Sequence, residues 1–195
     1  MGTQRIATVG TRVALAGRTM IDIASSWLLP EWAPNAHPPL VHFPIALLTA
    51  GVLFDGLGFA LRQQIAWRHG ATALYVIGTI LMGATYVTGQ EAAATVFTPG
   101  LAHGLVNEHW TWATWTLAYF VILTLGRLAI HIRSSSTNPS KPTGDYPTRK
   151  FSRTPLTIRI AFLLAGIAGI WLVMETADRG GQLVYEYGVG VIGTP

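Results

Sequence analysis

Four long apolar stretches constrain the fold of this chain more than any other feature of its sequence. They lie at about residues 40–61, 71–89, 109–130 and 156–174, and a helix needs about 20 such residues to cross a bilayer. Hydrocarbon offers no partner to backbone polar groups, so segments of this kind cross membranes as helices that close their own hydrogen bonds. None of the four shows the two-residue alternation of a barrel strand. The sequence therefore predicts an all-α membrane protein with a four-transmembrane-helix bundle.

The composition supports this fold class and excludes several others. Half of the 195 residues are hydrophobic and only 11% are charged, whereas soluble domains carry about 25% charged residues. The chain has no cysteine, which excludes disulfides, thiolate zinc sites, Cys-ligated iron–sulfur clusters and covalently attached c-type haem. The formal net charge of +4 is attributed to membrane-flanking loops, and no nucleic-acid partner is expected.

The basic residues predict which side of the membrane each loop faces. Arg62 and Arg68 follow the first span, and the loop at 134–155 contains further Lys and Arg among many Ser, Thr and Pro residues. The connection at 90–108 contains two Glu and no Lys or Arg. Because cytoplasmic loops collect basic residues, the first and third connections are predicted to be cytoplasmic, the third as a flexible loop. The Gly-rich tail at 180–195 then faces outward, with a short extended segment over the outer face.

Residues 1–30 form an apolar segment that is interrupted by Arg12, Arg18 and Asp22. An amphipathic helix in the membrane interface is favoured here. A fifth span is the alternative, and it would bury charges at about 2.5–3.5 kcal/mol each. The rest of the chain is predicted to be one membrane domain at 35–191, in which no internal repeat is evident.

Four of the six histidines are predicted to gather at the outer end of the bundle: His37, His42, His103 and His109. Imidazole ligates metals and haem iron, and helical bundles build cofactor sites from inward side chains of facing helices. Neither pair has the i,i+4 spacing of one helix face, so each pair is expected to contribute one ligand. His42 and His109 are preferred because they lie in the first turns of a span and can face the bundle. His37 and His103 are expected to contact water or a headgroup, and they are the substitutes. The alternative is that these histidines are interfacial hydrogen-bonding residues.

Asp55 is the one acidic residue well inside a predicted span. Carboxylates within a membrane are costly and suggest a function. The alternative is an ion pair with Arg62 or Arg127, and the sequence does not decide between them. Asn107, Glu108 and His109 form a short polar motif that, with the other outer histidines, suggests zinc and a metal-dependent membrane enzyme as a further alternative.

Three motifs resemble a bacterial membrane-protein family catalogued as domain of unknown function 2231. They are HPPLVHFPIALL at 37–48, EHWTWATWTL at 108–117 and GGQLVYEYGVGV at 180–191. The first is similar to the His-Pro … His-Phe-Pro-Ile-Ala opening of that family's four-span bundle. Some members have a histidine near the position of Tyr187, so a ligand at that position would have to be replaced here.

The resemblance implies a setting among respiratory proteins, since members of the family often accompany c-type cytochromes and some look like b-type haem proteins. Together with the histidine cluster it suggests a subunit that binds haem b near the outer face. Such a subunit would pass electrons between a periplasmic partner, such as a c-type cytochrome, and quinone or another subunit. The alternative is a cofactor-free structural subunit of a larger respiratory or photosynthetic membrane complex, in contact with lipids and other subunits.

Overall fold

The computed structural model describes residues 36–61, 64–135 and 155–191. Its four long helices are α1 (His42–Ala60), α2 (Gln64–Thr95), α3 (His103–Ser135) and α4 (Leu156–Tyr185). A helical turn, His37–Leu40, leads into α1, and a 3-10 turn, Gly100–Ala102, leads into α3. All four helices are long and apolar enough to cross a membrane, and no strand occurs in the three described segments. The prediction of an all-α four-span protein is confirmed.

Helices α2, α3 and α4 extend beyond the apolar stretches from which they were predicted, whereas α1 lies within its stretch. Helix α2 ends six residues after position 89, and α4 ends eleven residues after position 174. A span needs apolar residues only within the hydrocarbon, so the helices continue through polar residues toward the headgroups. The first six residues of the expected tail at 180–195 are consequently helical, and not extended. The interfacial segment predicted at 1–30 and most of the loop at 134–155 lie outside the described residues.

After α4 the chain turns at two glycines. Gly188 and Gly190 have φ angles of 67° and 75°, a left-handed conformation that glycine adopts without steric cost. The amide of Gly188 donates to the carbonyl of Val184 at 3.1 Å, and the amide of Val189 donates to that of Leu183 at 2.9 Å. These bonds satisfy carbonyls that the end of the helix leaves without intrahelical partners.

The bundle is built from two helical hairpins. Helix α1 packs on α2 and α3 packs on α4, while α2–α3 and α1–α4 contacts join the hairpins. Helices α1 and α3 therefore run parallel and occupy diagonal corners of the bundle. We call the end at which they begin the histidine end, and the end at which they finish the basic end.

The hairpins are closely packed where a large side chain meets a glycine. Leu48 of α1 and Phe120 of α3 are fully buried. A Cβ atom on Gly78 of α2 would lie 2.9 Å from Leu48, and one on Gly169 of α4 would lie 2.7 Å from Phe120. Lipid gives no hydrophobic drive for helices to associate, so close approach over small residues contributes much of the packing energy.

Threonine hydroxyls add polar links between the helices. Thr79 of α2 and Thr124 of α3 share a hydrogen bond of 2.8 Å, and Thr116 of α3 and Thr176 of α4 share one of 2.9 Å. Interhelical bonds of this kind contribute about 0.6–2 kcal/mol each in membrane proteins. The Thr79–Thr124 bond joins the two hairpins, and the Thr116–Thr176 bond lies within the α3–α4 hairpin.

The two hairpins use equivalent positions for these contacts, which reveals an internal repeat. Leu48 and Phe120 are 72 positions apart, and their glycine partners, Gly78 and Gly169, are 91 positions apart. The same two offsets recur at the histidine end, as described below. An approximate twofold axis along the bundle therefore relates α1–α2 to α3–α4. The repeat is not evident in the sequence because most equivalent side chains differ.

The glycine contacts predict which small residues the bundle needs. Gly169→Ala places its Cβ 2.7 Å from Phe120 and 3.0 Å from Tyr119. Overpacking of this kind costs about 1–3 kcal/mol, so we expect a lower melting temperature in detergent. Gly83→Ala is the matched control, because no atom outside its own helix backbone lies within 4 Å of the new Cβ. An equal loss of stability in both variants would contradict the packing role of Gly169.

Candidate functional site

Two half-buried histidines lie at the histidine end, one from each hairpin. The Nδ1 atom of His37 lies 3.1 Å from the carbonyl oxygen of Thr85 on α2, and that of His109 lies 3.0 Å from the carbonyl oxygen of Thr176 on α4. A carbonyl only accepts hydrogen bonds, so each Nδ1 donates and the lone pair of the neutral ring is on Nε2. An Nδ1–H bond to a backbone carbonyl is characteristic of metal-ligating histidines.

A glycine lies beside each of these imidazoles. A Cβ atom on Gly89 would lie 2.9 Å from Cε1 of His37, and one on Gly180 would lie 3.1 Å from Cε1 of His109. His37 and His109 are 72 positions apart, while Gly89 and Gly180, like the two threonines, are 91 positions apart. Each hairpin thus presents one imidazole in the same setting, at the same end of the bundle and from diagonal corners.

The other two candidate ligands face outward. His42 and His103 are exposed, and their Nδ1 atoms bond to carbonyls of their own turns, Pro38 at 2.9 Å and Gly100 at 3.2 Å. The expectation that His42 faces the bundle is therefore wrong, and His37 takes the inward position. The helical turn already begins at His37, and five residues at about 100° each place His42 on a different face. The inward position expected for His109 agrees with the structure.

The zinc motif is not assembled into a larger ligand set. No group of three or more His, Cys, Asp or Glu side chains suited to a metal ion occurs in the described part of the chain. The Glu108 side chain is 66% exposed and lies 3.8 Å from the guanidinium of Arg179, which also bonds to Glu175 at 2.8 Å. These residues form a partly exposed charge network at the histidine end. The two paired imidazoles remain the site with the most specific geometry there.

A buried ion pair lies toward the basic end. The Asp55 carboxylate accepts two hydrogen bonds from Arg127, at 2.6 and 2.8 Å, and the two side chains are 8% and 6% exposed. A fork of this kind is stronger than a single charged hydrogen bond. Of the alternatives that the sequence left open for Asp55, the pairing with Arg127 is the one observed.

The pair also obeys the internal twofold relation. Asp55 follows His37 by 18 residues, and Arg127 follows His109 by 18 residues. Eighteen residues are five helical turns, so each charge lies on the same helix face as its histidine. Equivalent positions of the two hairpins thus have opposite charges, and these charges meet between the hairpins.

Two aromatic rings pack against the cation of the ion pair. The guanidinium carbon of Arg127 lies 4.5 Å from the ring centre of Tyr75 and 5.1 Å from that of Phe162, an arrangement that stabilises a cation. Also toward the basic end, the rings of His69 and His131 make an edge-to-face contact, with their ring centres 4.8 Å apart. The sequence placed both histidines near the basic end but gave no sign of contact, since they lie on different helices 62 positions apart.

The buried pair leads to a stability prediction. Asp55→Asn leaves the Arg127 cation without its carboxylate, and breaking a buried pair in this way costs about 3–5 kcal/mol. We expect a lower melting temperature in detergent, with part of the loss recovered in the double variant Asp55→Asn/Arg127→Gln. Glu175→Gln, in the partly exposed pair with Arg179, is the control and should change little. Additive losses in the double variant would show that the two side chains are not coupled.

Comparison with known proteins agrees with the fold. A family model described as "Predicted membrane protein (DUF2231)" matches residues 33–193, which include all four helices. No curated protein and no solved structure matches the chain. The match confirms the resemblance carried by the motifs at 37–48, 108–117 and 180–191. The chain therefore belongs to the DUF2231 family of multi-pass membrane proteins.

Proposed function

We propose that this protein is an electron-transfer subunit of the bacterial cytoplasmic membrane that binds one b-type haem at the histidine end. The observation that carries the proposal is the pair His37 and His109. One of these half-buried imidazoles comes from the helical turn before α1 and the other from α3, at diagonal corners of the bundle. A helix carbonyl orients each of them through Nδ1.

The donor set fits haem iron better than it fits zinc. A b-type haem is held without covalent links, often by two neutral imidazoles that approach from facing helices of a bundle. The chain has no cysteine for covalent attachment, and both Nδ1–H groups point to carbonyls, which directs ligation to Nε2. A structural zinc site normally needs four ligands, and no set of even three was found among the described residues.

The surrounding residues would hold the ligands rather than react. The carbonyls of Thr85 and Thr176 fix the tautomer and the ring orientation, and hydrogen bonds of this kind also raise ligand basicity. Gly89 and Gly180 let the rings lie close to α2 and α4. A bound haem would supply a reversible one-electron change at its iron.

The position of the pair suggests its redox partners. The positive-inside rule places the basic end in the cytoplasm, so the histidine end would face the periplasm. A c-type cytochrome or another periplasmic protein could then exchange electrons with the site, and quinone or a second membrane subunit would be the other partner. The orientation and the partners are part of the proposal.

The proposal predicts a haem spectrum that depends on two of the four outer histidines. Protein purified in mild detergent should show a reduced α-band and about one haem b per chain in a pyridine haemochrome assay. His37→Ala and His109→Ala each remove an axial ligand, so each should abolish or strongly weaken that spectrum.

His42→Ala and His103→Ala are the matched controls, because both side chains are exposed and bond only within their own turns. Both variants should keep the wild-type haem content. Loss of haem in His42→Ala with retention in His37→Ala would overturn the ligand assignment. A wild-type protein without haem, from cells that load haem into other membrane cytochromes, would favour the cofactor-free structural subunit.

A further inference from the structure

A cleft opens between the helices at the basic end, away from the paired histidines. The cleft is open to the outside, and its cavity volume is about 40 Å3. Its polar lining residues come from all four helices: Asp55, Arg68, Thr72, Arg127, His131 and Arg159. The proposed electron-transfer function uses none of them.

The lining has more positive than negative charge. Three guanidinium groups face the cleft together with one carboxylate, that of Asp55, which is already paired with Arg127. Arg68 lies within electrostatic range of Arg127 and Arg159. The described lining is therefore cationic, which favours an anionic ligand.

Two arginines of the cleft have features that favour anion binding. The side chain of Arg127 is only 6% exposed, and its Nε atom has no hydrogen-bond partner among the described residues. Buried donors are nearly always paired, so this group suggests an acceptor that the described residues do not provide. Arg159 is held in place, because its Nη2 donates to the carbonyl of Gly58 at 2.6 Å and its guanidinium lies 4.4 Å from the ring centre of Phe59.

The depth of the cleft matches the headgroup region of a bilayer. Arg68 is four residues from the start of α2, and Arg159 is three residues from the start of α4. At 1.5 Å per residue, both lie within about 6 Å of the helix ends. An acidic group that lies at this depth along the whole membrane is the phosphate of a phospholipid headgroup.

We propose that this cleft binds the phosphate of an anionic phospholipid. Guanidinium groups recognise phosphate oxygens by paired hydrogen bonds, and basic pockets between spanning helices are known to bind acidic headgroups. The guanidinium groups that line the cleft, those of Arg68, Arg127 and Arg159, supply the donors. The cleft lies at the opposite end of the bundle from the paired histidines, so lipid binding here does not depend on whether haem binds there.

Native mass spectrometry of the detergent-purified full chain tests this site. Phosphatidylglycerol should remain bound to the wild-type protein, and phosphatidylcholine with the same acyl chains should not. Arg68→Gln and Arg159→Gln should each weaken phosphatidylglycerol binding by about fivefold or more, since one basic residue contributes about that factor. Arg133→Gln is the matched control, because Arg133 is exposed at the same end of α3 and does not line the cleft.

Competition with inorganic phosphate shows whether the ligand of the cleft is a lipid headgroup or free phosphate. If phosphatidylglycerol stays bound in millimolar phosphate, the lipid headgroup is the ligand. Displacement by free phosphate, together with weaker phosphate binding in Arg68→Gln, assigns the site to soluble phosphate and overturns the lipid. Equal retention of both lipids overturns the preference for an anionic phospholipid, because phosphatidylcholine also has a phosphate. Unchanged phosphatidylglycerol binding in Arg68→Gln and Arg159→Gln overturns the cleft as the binding site. Melting temperatures of the variants close to that of the wild type show that lost binding is not lost folding.

Discussion

Inside a bilayer, apolar side chains gain nothing by moving from lipid into the protein, so the four helices need another reason to associate. Here the helices associate because large side chains pack directly against glycines of neighbouring helices and because a few buried polar side chains pair between helices. Leu48 against Gly78 and Phe120 against Gly169 bring the helices of each hairpin together, and the Asp55–Arg127 pair joins the two hairpins. The position of every other group, including the two inward histidines, depends on this packing.

The sequence predicted the number and approximate positions of the spans because lipid makes strict demands on length and hydrophobicity. It predicted the helix ends less well, since nothing in hydropathy stops a helix from continuing into the headgroup region. Helix α4 continues to Tyr185 for this reason. The level of the histidines also followed from the order of the spans, and His109 was correctly expected to face inward.

The sequence analysis preferred His42 to His37 as the inward residue, and the reason for this error is geometric. Which of two histidines five positions apart faces a neighbour depends on helix rotation, and rotation depends on contacts with α2 that a single sequence does not reveal. The basic cleft was missed for a similar reason. Its arginines lie on three different helices, and only the packed bundle brings them to one place.

The opposite charges at equivalent positions of the two hairpins have a consequence for assembly. Two copies of α1–α2, packed as the hairpins pack here, would place two carboxylates in contact, and two copies of α3–α4 would place two guanidinium groups there. Either arrangement would bury like charges, whereas one copy of each hairpin neutralises both. The burial of like charges therefore disfavours the pairing of two identical hairpins, and the opposite charges favour the pairing of α1–α2 with α3–α4.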